Sequence, residues 1–269
     1  MPEWPEMEHY RKMLEVRILN KRITGVRIER ERSLNMSTNE FTNRILNQPI
    51  ISINRRAKML LFTLESKEVM LLHLMLGGWM FYGLEQEKPE RTIQVQLSFG
   101  EQQLYFIGLR LGYLHLFTPT QLVERLSDIG LEPFDPAMSL AAFKLFVKRG
   151  RGTLKKHLTD QSMIAGIGNC YSDEICYAAG VLPSRIPSSL TDEECSNLYN
   201  SMHTTLIEAL KLGGYMDHGF YSGDSLTGQY NDRCKVYDRE GEPCTRCGQI
   251  IVRNDVSNKK SFCCPRCQR

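Results

Sequence analysis

The spacing of apolar positions changes twice along this chain. Residues 6–20 place Met7, Tyr10, Leu14 and Ile18 on one helical stripe, with Arg11, Lys12, Glu15 and Arg17 on other faces, which predicts an amphipathic helix. From 23 to 116 the period shortens to two. Residues 26–29 and 51–54 alternate, the apolar runs 60–64 and 70–74 flank a polar turn at 65–68, and 93–97 and 103–106 flank another at 99–101. Hairpins repeated over about ninety residues predict an antiparallel sandwich or barrel. The stretch 132–136, Glu-Pro-Phe-Asp-Pro, reads as a linker. Beyond it the pattern is helical again, at 139–148, 153–159, 169–179 and 192–212. Thr191 and Glu194 open the last of these in capping-box spacing, and Gly213-Gly214 stops it. Residues 214–233 are polar, rich in Gly and Asp and aperiodic, so they read as a mobile loop.

The last stretch, 233–269, is too short to bury a core of its own. It holds Cys244-Thr-Arg-Cys247 and Cys264-Pro-Arg-Cys267, separated by sixteen residues. Two such knuckles fit a four-thiolate zinc site, each supplying two ligands while the spacer forms a hairpin. The spacer has a strand-like run at 250–253, a turn at Asn254-Asp255 and a second short run, with Lys259 and Lys260 at its tip. Cys263 stands beside Cys264, and the x-x spacing favours Cys264 with Cys267. Disulfides would use the same residues, but no apolar signal sequence follows Met1. Nine cysteines are an odd number, and the other five sit among apolar neighbours as reduced thiols do. Cytoplasmic residence is expected, and no run approaches membrane-spanning length.

The expected fold class is therefore α+β, divided into an N-terminal helix with an antiparallel β-sandwich (1–130), a helical domain with its loop (131–232) and a C-terminal zinc β-hairpin (233–269). Bulk charge decides little, since the net value is only +3 with 42% hydrophobic residues. Its distribution says more. From Arg233 to Arg269 nine Lys/Arg face four acids, a larger surplus than the whole chain carries. A rigid cationic finger is the footprint of phosphate-backbone binding, although a solvated basic face produces the same count.

Several motifs occur together and in order: Pro2-Glu3-x-Pro5-Glu6 opening the first helix, Gly130-Leu-Glu132-Pro133, Leu158-Thr-Asp160-Gln161, Ala165-Gly-Ile-Gly-Asn169 followed by Tyr171-x-Asp173-Glu174, 236–244, and the terminal Cys-x-x-Cys pair. On these residues the chain resembles, over essentially its whole length, the formamidopyrimidine-DNA glycosylase and endonuclease VIII family of base-excision repair enzymes. The resemblance implies a helix–two-turn–helix motif around 160–179 and a monomer that binds damaged double-stranded DNA between its domains.

The chemistry follows from the residues. Once Met1 is removed, Pro2 is a secondary amine, and an α-amino pKa of about 7.7–8.0 leaves an appreciable neutral fraction near pH 7. Its attack on deoxyribose C1′ would expel the base, and loss of water would give an iminium that acidifies the C2′ proton, so β-elimination cuts the strand. Glu3 is adjacent, and the resemblance makes it the acid, with Glu6 organising the site. Lys58 matches the lysine implicated in elimination, His73 a phosphate contact, and Arg110 and Lys155 basic DNA contacts. Asn169 has a case of its own, because a glycine-rich helix start offers free N–H groups to a phosphate.

Three positions depart from the family. Lys259 stands in the register of the finger-tip arginine, keeping the charge but losing the bidentate fork. Met75-Leu76-Gly77 is closer to endonuclease VIII, with Leu76 as the intercalating wedge. The Arg-Arg-Phe-Gly stretch that reads the opposite cytosine becomes Leu109-Arg110-Leu111-Gly112, and Leu109 cannot donate to a base edge. The loop from 213 also reads Tyr215-Met216 where Thr-Thr is usual. Two other readings stay open: a catalytically silent DNA-damage-binding protein, and a zinc-ribbon protein-interaction module that explains the cysteines alone.

Overall fold

The computed structural model describes all 269 residues, which form two compact units: Met1–Ser127 with Leu212–Gln229, and Asp128–Lys211 with Tyr230–Arg269. In the first unit, helix α1 (Trp4–Ile18) is followed by β1 (Gly25–Ile28), α2 (Thr38–Ile45), β2 (Ile50–Arg56), β3 (Met59–Leu64), β4 (Val69–His73), β5 (Trp79–Gly83), β6 (Ile93–Phe99), β7 (Gln102–Ile107), β8 (Tyr113–Phe117) and α3 (Pro119–Leu126). Two four-stranded antiparallel sheets result, ordered β1-β6-β7-β5 and β2-β3-β4-β8. Alternation explains the core. Leu60, Phe62 and Leu64 of β3 and Val95, Leu97 and Phe99 of β6 point inward and meet the helical stripe Met7, Tyr10, Leu14 and Ile18.

Helix α1 begins at Trp4, two residues before the apolar stripe predicted. Glu6 accepts the Glu3 amide at 2.8 Å, and Pro5 in the first turn costs no hydrogen bond there. Helix α2 lies inside the stretch read as strands; its signal was Ser37, whose hydroxyl caps the Glu40 amide at 3.3 Å.

The segment Leu212–Gln229 has no helix or strand, yet it is tied down. Phe220 is fully buried in the sandwich core, edge-on to Tyr10 at 5.5 Å, and its carbonyl accepts the Tyr82 amide. Asp224 accepts the amides of Phe220, Leu226 and Thr227 at 2.8, 3.1 and 3.1 Å, closing the segment on itself. A polar aperiodic sequence thus conceals one aromatic anchor and one acidic staple.

The second unit contains α4 (Leu140–Lys148), α5 (Leu154–Leu158), α6 (Asn169–Ala179), α7 (Asp192–Lys211) and the hairpin β9 (Val252–Val256)–β10 (Lys259–Cys263). Helix α6 packs on α7 and on β10 and ends at Gly180, whose φ of 75° suits the left-handed cap. The hairpin turn falls at Ser257-Asn258, with φ of 51° and 61°, rather than at Asn254-Asp255. Two successive positive φ values match the right-handed twist of the strands, and Asn254 and Asp255 pair with Ser261 and Lys260 instead.

Truncating Phe220 to Ala removes a ring from a closed core, so the first unit should lose about 3–5 kcal/mol. Urea unfolding of the full chain would show it, and an unchanged midpoint would mean that the segment is not anchored.

Candidate active site and nucleic-acid interface

Pro2, Glu3 and Glu6 are all buried at the start of α1. The two Glu6 oxygens have separate duties: Oε2 takes the Glu3 amide and Oε1 accepts the Tyr215 amide at 3.1 Å. A Cβ on Gly214, where φ is 72°, would lie 2.2 Å from that Oε1, so only glycine lets the chain pass. Glu6 is thus a structural clamp, and the Glu3 carboxyl group is buried beside the proline. While Met1 remains attached, the Pro2 nitrogen is a tertiary amide; its release gives a secondary amine next to a buried carboxyl group.

Lys58 is buried in the turn after β2, preceded by Ala57 at φ 53°. Arg55 brings this turn against the start of α1, since its guanidinium lies 4.7 Å from the Trp4 ring and its Nε donates to Glu8 at 3.0 Å. On the neighbouring strand His73 pairs with Met59 across the sheet. Its Nδ1 accepts the Met75 amide at 3.1 Å, which leaves the proton on Nε2 as a donor. Burial, then the positive charges of Lys58 and Arg125, push its pKa down to about 4, so the ring is neutral at pH 7. It can offer a hydrogen bond to a phosphate without carrying charge.

Leu76 projects at 67% exposure from the turn between Met75 (φ 52°) and Gly77 (φ 81°). Leu111 is similarly exposed at 63%, with Arg110 beside it. Leu109 is fully buried: its amide donates to Gln94 Oε1 at 2.9 Å and its carbonyl accepts from Arg30 at 3.1 Å. The exposed tip is therefore Arg110-Leu111, and the leucine before it is a core residue.

In the second unit, Asn169 is exposed at the first turn of α6 after Gly168. Gln161 builds the turn that precedes it, accepting the Gly166 amide at 2.9 Å and donating to the Ile167 and Thr159 carbonyls at 2.7 and 3.0 Å. Lys259 reaches this turn, its ammonium 2.6 Å from the Thr159 hydroxyl, while Thr153 and Ser257 hydroxyls meet at 2.8 Å. Helix start and hairpin tip thus form one basic, N–H-rich edge.

Lys155 departs from the expectation of a DNA contact. It is fully buried and ion-paired with Asp173 at 2.7 Å, and it donates to the Asn169 carbonyl at 3.1 Å. No part of it reaches solvent, so it braces the helix start that it was expected to flank. Asp173 also accepts the Ser261 hydroxyl at 2.7 Å and the Phe262 amide at 2.9 Å of β10; burial raises its pKa to about 6 against the pull of Lys155. Glu174 accepts the amides of Lys235, Val236 and Tyr237 at 2.8–2.9 Å. The only sequence signal for these two roles was a pair of acids within an otherwise buried helix.

Cys244, Cys247, Cys264 and Cys267 gather their sulfurs within 4.8 Å of one another, a set that could hold a metal ion. Tetrahedral zinc about 2.3 Å from each thiolate sets ligand sulfurs roughly 3.8 Å apart. The pairs Cys247–Cys264 and Cys244–Cys267 lie at 3.5 and 3.8 Å. Burial alone would raise the Cys244 thiol, but the Tyr177 hydroxyl and the Arg246 and Cys247 amides hold it down to about 6, a ligand ready to lose its proton. Cys263 stays outside the cluster, within reach of Asn254.

Fold and site together define an α+β chain with a proline–carboxylate pair on a sandwich and a thiol-pinned basic hairpin beside a helix start. The family model of the formamidopyrimidine-DNA glycosylase N-terminal domain matches residues 1–113, and that of the formamidopyrimidine-DNA glycosylase H2TH domain matches 129–218. Among curated relatives, the formamidopyrimidine-DNA glycosylase of Pelotomaculum thermopropionicum is 31% identical, covering 100% of this chain and 99% of its own length. That of Listeria innocua is 33% identical over the whole of both chains. Among solved structures, the Lactococcus lactis protein complexed with DNA containing an abasic site superposes with a TM-score of 0.92 at 27% identity, covering 99% of each chain. A variant of the same protein with DNA containing Fapy-dG gives 0.92 at 27% over 100% of each chain. The chain belongs to the formamidopyrimidine-DNA glycosylase and endonuclease VIII family.

The sign of the histidine shifts gives a pH dependence. His73 and His115, both held to about 4 chiefly by burial, bind their protons less readily folded than unfolded. Stability is therefore undiminished above pH 6.5 and falls as the pH drops from 6.5 towards 4. His73→Gln should abolish about 2 kcal/mol of the loss between pH 7 and pH 5, read by urea unfolding at both values. An equal loss in both proteins would remove His73 from the account.

Proposed function

We propose that the protein is a bifunctional DNA glycosylase and abasic-site lyase of base-excision repair, acting on damaged, chiefly oxidised, bases in double-stranded DNA. The observation that carries this is the buried Pro2-Glu3 pair at the start of α1 in a chain of this family. The Pro2 nitrogen attacks C1′ and the glycosidic bond breaks, its electron pair leaving with the base while Glu3 supplies the proton. The nitrogen gives up its proton, the C1′–O4′ bond opens with O4′ taking up a proton to become a hydroxyl, and the iminium left at C1′ makes the C2′ proton acidic. Lys58 assists its loss, and the C3′–O bond breaks to release the downstream phosphate. His73, Arg110, Asn169 and Lys259 hold backbone phosphates, and Leu76 fills the vacated base position. The solved relatives with Fapy-dG-containing and abasic-site DNA support damaged duplex as the partner.

The four cysteines would hold one structural zinc ion, whose contribution is to pin the hairpin that carries Lys259. The protein would act as a monomer in a bacterial-type cytoplasm, associated with the nucleoid when bound. The working division is a catalytic sandwich at 1–130, a helix–two-turn–helix region with its lesion loop at 131–232 and a finger at 233–269.

Borohydride trapping on an abasic or thymine-glycol duplex should yield a covalent adduct with protein shown by intact mass to lack Met1. No adduct under those conditions rejects the lyase chemistry, and retained Met1 in the native protein would favour a silent damage reader. Glu3→Gln should lower base excision by about 10²–10⁴-fold in single-turnover assays. Chelation should unfold the hairpin and abolish salt-sensitive DNA binding; binding that survives metal removal would count against the zinc assignment.

A further inference from the structure

After α7 the chain returns to its own start. Glu6 Oε1 accepts the Tyr215 amide at 3.1 Å, and Gly214 before it, with φ of 72°, has no room for a Cβ beside that oxygen. The loop that follows is closed at its neck, where the Gly228 amide donates to the Gly213 carbonyl at 3.2 Å. His9, one turn beyond Glu6, meets the Thr227 hydroxyl at 2.9 Å. Thr227 donates its single hydroxyl proton to Asp224 at 2.5 Å, so His9 Nε2 is the donor in that contact. The backbone at 215 is therefore held to α1 from both ends of the loop. What this places is a phenol. The Tyr215 hydroxyl donates to the Met1 carbonyl at 2.7 Å. That carbonyl carbon is bonded to the Pro2 nitrogen, and amide geometry sets its oxygen about 2.2 Å from the nitrogen, so the hydroxyl lies within about 5 Å of it. Removing Met1 takes this acceptor away and leaves a phenol beside the new amine. Glu6 has both oxygens on backbone amides, and Glu3 is assigned to the departing base.

We propose that Tyr215 is a catalytic residue that carries the proton released by the Pro2 nitrogen to the sugar oxygen O4′. The proposal rests on the reading of Pro2 as the nucleophile. After attack the nitrogen holds a positive charge, one hydrogen and the new bond to C1′. The phenol oxygen accepts that hydrogen as a proton while its own proton passes to O4′. The C1′–O4′ bond breaks, and its electron pair stays on O4′, which becomes a hydroxyl. The pair left by the N–H bond closes the C1′=N bond of the iminium, and the phenol ends as it began. A neutral phenol is donor and acceptor at once, whereas an ionised carboxylate only accepts and an ammonium only donates. Such a relay moves the proton without leaving a charge behind on the protein.

Tyr215→Phe keeps the ring and the amide held by Glu6 and loses only the hydroxyl. Protein shown by intact mass to lack Met1 is trapped with borohydride in single turnover on two duplexes. One carries an abasic site, the other Fapy-dG or thymine glycol, whichever the wild type excises faster. Adduct formation from the damaged base should fall by about 10²–10⁴-fold, the usual worth of a positioned acid–base group. The loss on the abasic duplex should be far smaller, because that sugar opens to its aldehyde without help. Unchanged adduct formation from the damaged base overturns the proposal. So does an equal loss on both duplexes, which is what a displaced loop or a weakened fold would give. Wild-type protein that forms no adduct on either duplex defeats instead the reading of Pro2 as the nucleophile.

Discussion

The second unit is organised around a carboxylate that cannot reach water. Asp173 is fully buried on α6 and is satisfied from three directions, by the Lys155 ammonium, the Ser261 hydroxyl and the Phe262 amide. Desolvating such an ion pair costs several kcal/mol, and that cost is recovered only with good geometry and every remaining lone pair engaged. The arrangement therefore tolerates one position of β10 relative to α6 and one position of α5 relative to both. Glu174 repeats the device one residue later, holding three consecutive amides of the segment that leads into the hairpin. Two adjacent acids thus fix the finger to the helix whose first residue is Asn169.

This explains why the finger can be short. A hairpin of two five-residue strands has almost no core, and its own cluster amounts to Tyr177, Val236, Ile251, Phe262 and two of the cysteines. Four clustered thiols close one end, and the buried carboxylates close the side. The Ser257-Asn258 turn and Lys260 stay exposed, and the half-buried Lys259 is held against Thr159.

The first unit uses polar groups in the same way. Glu6 has both oxygens committed to backbone amides, Arg55 spans Trp4 and Glu8, and Gln94 holds the buried Leu109. Glu3 is buried beside the proline, and Leu76, Arg110 and Leu111 form the exposed tip. The glycines near the tip serve close approach: a Cβ on Gly78 or Gly108 would lie 2.2 or 2.1 Å from a backbone oxygen.

How much of this was legible depends on the range of the interaction. Periodicity revealed α1, the paired strands and the long helices because apolar side chains repeat with the local backbone geometry, whatever they pack against. The two Cys-x-x-Cys knuckles and the Pro2-Glu3 start were legible for the same reason, each being defined within a few residues. Lys155 and Leu109 were not, since the sequence shows a charge and an apolar group but not which side of the chain faces water. The turn at Ser257-Asn258 was decided by strand pairing over Asn254-Asp255, an equally good local signal. The sequence by itself determined most of the elements, the thiol set and the Pro2-Glu3 start. Only tertiary structure decided which charged side chains are buried as clamps, because desolvation depends on neighbours that are distant along the chain.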